Sequence, residues 1–311
     1  MSITYVLILA LLAGTHAATW GAFKDSPFEG FKPVSFVRSI VVVVVVAVAL
    51  ALATDLETTM APIVFLGVLY GVERLATELW KSFLREDDQN AYAIPMRVAI
   101  LGRIVEGRFA RYLMGLVVLV VVVGMSGAAA ALQPAGGGPL AVLVLVGGIG
   151  GWLTAVGGAW KDAPVEGFSG WKFLRSPVVA TAWTIMLLPF TQDWVALTFA
   201  AAGLSVLAIE TYKTFFTGGR PPGKFDGKPV RPGLGVQRHR CQLLHSGVYG
   251  CLATVAGMTA VFDTEEWLST NMVSMVVLTV VAATISVRVL LSRSTPATVA
   301  QRKVETDAIA S

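Results

Sequence analysis

In 311 residues, of which 55% are hydrophobic and only 14% charged, the chain carries more apolar surface than one soluble core can bury. Its net charge of +4 would suggest nucleic acid in a soluble protein, but in a chain with mean hydropathy +0.70 it reflects basic cytoplasmic loops, so no nucleic-acid partner is expected. The composition is that of an all-α polytopic membrane protein.

Apolar runs of about 17 to 25 residues mark membrane spans, and nine follow one another along the chain: residues 3–22, 36–54, 60–83, 112–131, 140–158, 177–190, 195–216, 243–262 and 272–291. The sixth is the shortest. The first contains Thr-His-Ala-Ala at 15–18, which looks like a signal-cleavage site, but no basic segment precedes it, so a true span is expected. Run two contains VVVVVV, a featureless apolar filler, and run five contains GGIGG, a composition that lets helices approach closely. Cys241 and Cys251 lie ten apart without CxxC spacing or clustered histidines, and read as inert.

The connections between runs alternate in charge. Lys24, Lys32 and Arg38 follow the first run, and Lys81, Arg85, Arg97, Arg103, Arg108 and Arg111 the third. Lys161, Lys172 and Arg175 follow the fifth, and Arg220, Lys224, Lys228, Arg231, Arg238 and Arg240 the seventh. The intervening connections hold acidic or uncharged residues such as Asp55, Glu57 and Asp193. Cations stay on the cytoplasmic side, which places the protein in the cell membrane with its N-terminus outside and its C-terminus inside.

Two octapeptides, KDSPFEGF at 24–31 and KDAPVEGF at 161–168, belong to a longer internal match. Aligned at an offset of 137, residues 21–39 and 158–176 agree at 11 of 19 positions. ELWKSF at 78–83 matches ETYKTF at 210–215, and Pro95 with Arg97 matches Pro229 with Arg231. A duplicated four-span unit explains this: residues 1–135 and 136–262 form two parallel repeats, 263–292 holds a ninth span, and 293–311 is a disordered cytoplasmic tail.

A purely structural role for the octapeptide needs no ligand. Asp25 or Asp162 would cap a new helix, Pro27 or Pro164 would enter its first turn, and Gly30 or Gly167 would reverse the chain. The functional alternative uses the charges. Asp25, Glu29, Asp162 and Glu166 are the candidate catalytic and Mg²⁺-holding carboxylates, because Mg²⁺ is bound through one or two protein carboxylates plus substrate phosphates. Lys24, Arg38, Lys161 and Arg175 would take the remaining phosphate charge.

Glu78 and Glu210 lie in the last turns of apolar runs, three residues before Lys81 and Lys213, within ion-pair reach on a helix. These four join the candidate substrate-binding set, as does Glu73, which lies deeper beside Arg74 and has Ser205 at the matching position. His16 is expected to be a helix–helix hydrogen bonder, and the 218–233 loop, GGRPPGKFDGKPVRPG, a solvated basic connection.

No nucleophile elbow, Walker loop, HExxH or dinucleotide fingerprint is present. The nine-span, two-repeat plan resembles that of intramembrane prenyltransferases, but their Asp-rich motifs are absent, so the likeness is architectural. The expected function is an enzyme, of transferase type and Mg²⁺-dependent, acting on a phosphate-bearing lipid or polyprenyl substrate. The alternatives are a transporter or lipid flippase using the same cytoplasmic site, and a non-catalytic structural subunit. Expected partners are membrane lipids and a second copy or a larger membrane complex.

Overall fold

The computed structural model of the protein describes residues 3–53, 60–89, 92, 96–216, 225 and 228. The runs at 243–262 and 272–291, both cysteines, Pro95, Pro229, Arg231, the tail, and the 218–233 loop apart from Phe225 and Lys228 lie outside the described residues. Two compact units divide the chain: Met1–Gly14 with Arg38–Ile209, and Thr15–Val37 with Glu210–Ser311.

The described residues form seven long helices: α1 (Ile3–Glu29), α2 (Pro33–Ala53), α3 (Pro62–Leu79), α4 (Arg108–Leu132), α5 (Leu140–Glu166), α6 (Gly170–Leu187) and α7 (Trp194–Phe215). Each apolar run up to 195–216 falls on one of them. Five are long and apolar enough to cross a membrane: Val6–Glu29 of α1, all of α2 and α4, Leu140–Ala163 of α5 and Trp194–Thr214 of α7. Hydrocarbon offers no water to backbone N–H and C=O groups, so an apolar run must close its own hydrogen bonds. Consecutive valines favour strands in water, yet the valine run of α2 is helical, and its 21 residues rise roughly 31 Å, close to the thickness of the hydrocarbon core. Helices α3 and α6 are shorter, with 18 residues each, which include Glu73, Arg74 and Glu78 on one and Lys172 and Arg175 on the other.

The octapeptides correct one expectation. Neither starts a helix: residues 24–29 form the last turns of α1, and residues 161–166 the last turns of α5. Pro27 removes one ladder bond, a local loss that a 27-residue helix tolerates. The glycines act as helix terminators. Gly30 and Gly167 have φ of 82° and 78°, and their N–H groups donate to Ser26 O and Ala163 O at 2.9 Å, closing the helix ends in the left-handed conformation that glycine adopts freely.

Within the first unit, small residues let backbones touch. A Cβ on Gly203 of α7 would run into Gly67 O and Gly71 N of α3. The GGIGG stretch of α5 behaves as its composition suggests, with a Cβ on Gly151 falling 2.6 Å from Ala180 Cβ and 2.7 Å from Pro177 Cα of α6. Thr198 Oγ1 donates to Val146 O across α7 and α5 at 3.0 Å. At the start of α7, Asp193 Oδ1 caps Ala196 N at 2.7 Å, and Gln133 Oε1 accepts from Trp194 N at 2.7 Å. Helix α4 is different: Arg111 and Gly115 are its buried residues.

In the second unit Trp20, Ala22 and Phe23 form a small core against which Phe36 packs. Phe28 and Phe225 stack in parallel with ring centroids 4.3 Å apart.

Between α3 and α4 the chain makes a short antiparallel hairpin, β1 (Ala99–Ile100) with β2 (Arg103–Ile104). Leu101 and Gly102 both have positive φ, 49° and 77°, as a two-residue primed turn requires. For leucine that backbone costs about 1–2 kcal/mol. An anchor secures the following helix: Arg111, almost fully buried, donates to Glu86 Oε1 at 2.7 Å and to Glu106 O at 2.8 Å, while Tyr112 O–H donates to Glu86 Oε1 at 2.8 Å.

Candidate functional site

Glu73 is fully buried on α3. A carboxylate there needs partners for both oxygens, and the helix supplies them locally. Thr77, one turn on, donates its hydroxyl to Glu73 Oε1 at 2.7 Å, and Arg74 Nε donates to Oε2 at 2.6 Å. The Arg74 guanidinium also lies 5.3 Å from the centre of the Tyr70 ring.

Two further arginines complete the group. Arg38, near the start of α2, lies in the fields of Glu73, Arg85 and Arg74. Arg85 reaches the group because α3 does not end cleanly: residues Trp80–Leu84 form a π turn, and Arg85 N–H donates to Trp80 O five residues back at 2.9 Å. That wider turn shifts the register by one residue and brings Arg85 inward. Its side chain is only 7% exposed and lies 3.8 Å from the centre of the Tyr92 ring. Among the described residues, Arg38 thus feels one carboxylate and two more guanidinium groups, an excess of positive charge. Arg38 Nε, Arg85 Nε and Arg85 Nη2 are buried with no hydrogen-bond partner among the described residues.

Among the sequence candidates, Arg38 lies within range of the charge of Glu73. The structure gathers Glu78, Lys81 and Lys161 into a second group: Glu78 accepts from Lys161 Nζ at 2.8 Å and lies 3.7 Å from Lys81 Nζ, so the expected pair three residues apart forms and a third residue joins it. In the other unit Lys24 lies 3.4 Å from Asp25 and Lys32 lies 4.0 Å from Glu29. Among the described residues, no three His, Cys, Asp or Glu side chains come together to hold a metal ion. Asp162 and Arg175 are half-buried near the end of α5 and the start of α6, and the side chain of Glu166 lies outside the described residues. Glu210 is buried, Lys213 half-buried, and His16 fully buried within α1.

Sequence reasoning passed over Arg85, Tyr92 and Thr77 as site residues. Thr77 stands four residues after Glu73, a spacing that was visible. The π turn that carries Arg85 inward has no signal in apolar periodicity.

No protein-family model matches the chain, and neither the curated proteins nor the solved structures contain a match to it.

Proposed function

We propose that the chain is a nine-span membrane protein of two parallel four-span repeats with its N-terminus outside, and that it binds and acts on a phosphate-bearing lipid or polyprenyl substrate. The phosphate is received by Arg38, Arg74 and Arg85. One observation carries this reading: half-buried Arg38 and buried Arg85 hold buried N–H donors with no hydrogen-bond partner among the described residues, with Arg38 in the field of Glu73, whose carboxylate Arg74 and Thr77 already occupy. A buried donor without an acceptor costs about 1–3 kcal/mol, and more when charged. A phosphate oxygen accepts from guanidinium groups in the geometry that suits them best.

The repeat reading has support in the helix bounds. Helices α1 and α5 both have 27 residues and both end at a left-handed glycine. Helices α2 and α6 begin at Pro33 and Gly170, an offset of 137, and α3 and α7 begin at Pro62 and Trp194, the 132 of the ELWKSF and ETYKTF match. The same offset carries Glu73, Arg74 and Thr77 onto Ser205, Val206 and Ile209, so this trio is not duplicated. Asp25 and Glu29 have lysines at 3.4 and 4.0 Å, and arginine is the phosphate ligand we favour. Group transfer at the lipid phosphate is the reaction class that such a site serves.

The test is lipid binding by native mass spectrometry in nanodiscs containing phosphatidate and phosphatidylcholine. Wild type is expected to retain phosphatidate selectively, and Arg85→Gln and Arg38→Gln to lose that preference roughly tenfold, the worth of one charge-assisted hydrogen bond. Equal retention of both lipids by wild type would overturn the reading. Movement of phosphatidate between leaflets with no chemical change would favour a flippase that uses the same ligands.

A further inference from the structure

We propose that the hairpin Ala99–Ile104 docks into the headgroup layer of the surrounding bilayer, with Leu101 and Ile100 among acyl chains and Arg103 on the phosphates of anionic lipids. The inference rests on the membrane-crossing helices and is independent of the arginine site.

Position comes first. The hairpin is tied to the ends of three helices within the first unit. Val98 N–H donates to Ser82 O in the turn after α3 at 3.1 Å, and Trp160 Nε1 near the end of α5 donates to Ala99 O at 2.5 Å. Helix α4 begins at Arg108, four residues past Ile104, a stretch that reaches at most about 14 Å. Two of those helices, α4 and α5, are apolar enough to cross a membrane, so their shared end lies at its boundary.

Chemistry comes second. Leu101 is 98% exposed at the tip of the turn, and Ile100 and Ile104 are about half exposed beside it. A two-residue primed turn in water takes Asn-Gly or Asp-Gly. This turn instead holds a leucine in the left-handed region, accepting backbone strain to present an apolar side chain that no protein atom covers. Such an outlier is an indication of function. Arg103, next to the turn, is exposed with no ion pair among the described residues. An apolar tip flanked by an exposed cation is complementary to an anionic lipid surface, where lysine and arginine are attracted to phosphates while apolar residues enter the acyl boundary. The alternation is too short to make an amphipathic helix, and a primed turn delivers the same insertion with two side chains.

The test uses the full chain with Cys241→Ser and Cys251→Ser, and a nitroxide attached at Leu101→Cys, in nanodiscs containing phosphatidylglycerol. The inference expects the label to relax with oxygen and to be shielded from a water-soluble nickel chelate. Ready access by nickel overturns it. Spin–spin broadening that grows with protein-to-lipid ratio overturns it in favour of a second copy. An immobile label shielded from both reagents overturns it in favour of packing against other parts of the chain. A measurement on the unmodified protein backs this up: trypsin cleavage after Arg103 is expected to be roughly fivefold slower in anionic than in neutral nanodiscs, the factor one surface arginine contributes. Equal rates overturn the arginine–phosphate contact.

Discussion

Lys161 Nζ, near the end of α5, lies 2.8 Å from Glu78 Oε2 on α3. The pair joins the octapeptide of one half of the sequence to the ELWKSF motif of the other, two segments that the chain separates by 83 positions. Glu78 is also within 3.7 Å of Lys81, so one carboxylate balances two ammonium groups. Both partners of the longer-range pair are partly exposed, at 21% and 40%, so solvent screens their attraction.

A double-mutant cycle on Lys161→Ala and Glu78→Gln is therefore expected to give a coupling of about 0.2–1 kcal/mol, typical of exposed pairs. Glu78→Gln alone should destabilise more than Lys161→Ala, because it leaves two cations without their shared acid. Thermal melts of the purified protein in detergent check the order. Equal effects of the two single variants would mean that Lys81 does not share the carboxylate.

Backbone contact between α3 and α7 sets a second expectation. A Cβ at Gly203 meets Gly67 and Gly71 main-chain atoms, which cannot swing aside as a side chain can, so Gly203→Ala must push two helices apart. A loss of about 1–3 kcal/mol follows from overpacking. Gly127 on α4 has open space around its Cα, and Gly127→Ala should be neutral or stabilising by up to about 1 kcal/mol through helix propensity. The contrast between the two, read as melting temperature, separates packing from propensity.

The helices were legible because run length and hydropathy are enough to mark a span; their ends were not. KDSPFE reads as the start of a new helix since aspartate caps and proline suits a first turn, yet α1 continues to Glu29 and only the left-handed Gly30 stops it. Strands β1 and β2 have two residues each, too few to show alternation. At the site, Glu73 and Arg74 stood out as charges inside an apolar run, and Arg38 as part of the internal match. Arg85 did not, since its place depends on a one-residue widening of the helix at Trp80–Leu84 and on a ring from a separate loop, Tyr92. Local pattern carries helices, while convergence of distant charges belongs to tertiary structure.

Glu86, in the connection between α3 and α4, gives a pH expectation. The Tyr112 hydroxyl donating to its carboxylate, followed by the Arg111 hydrogen bond and the charges of Arg108 and Arg111, holds its pKa below the ordinary carboxylate value, against the opposing effect of burial. A lowered folded-state pKa means that the unfolded chain binds the proton more readily, so the contribution is present above the unfolded value, about 4.3, and is lost as pH falls through the lower folded value. Melting temperature should therefore drop more steeply below about pH 4.3 in wild type than in Glu86→Gln, which has no proton to take up. Parallel acid limbs for the two proteins would show that Glu86 is not the responsible group.

Glu73→Gln offers the sharpest division between a structural and a ligand-binding role. The carboxylate is fully buried and neutralises part of a group containing Arg38, Arg74 and Arg85. Removing its charge breaks a buried pair and leaves guanidinium groups uncompensated, a loss of about 3–5 kcal/mol in protein held in neutral lipid. If the group exists only to support the fold, phosphatidate should do nothing special for the variant. If the arginines receive a phosphate, the variant has a larger positive excess and should gain more from an anionic ligand than wild type does, since a ligand that binds only the folded state stabilises it in proportion to its affinity. Melting temperatures in phosphatidylcholine nanodiscs, with and without phosphatidate, provide both readings. The expected outcome is a lower melting temperature in neutral lipid together with a larger upward shift on adding phosphatidate; an unchanged shift would leave Glu73 with a structural role alone.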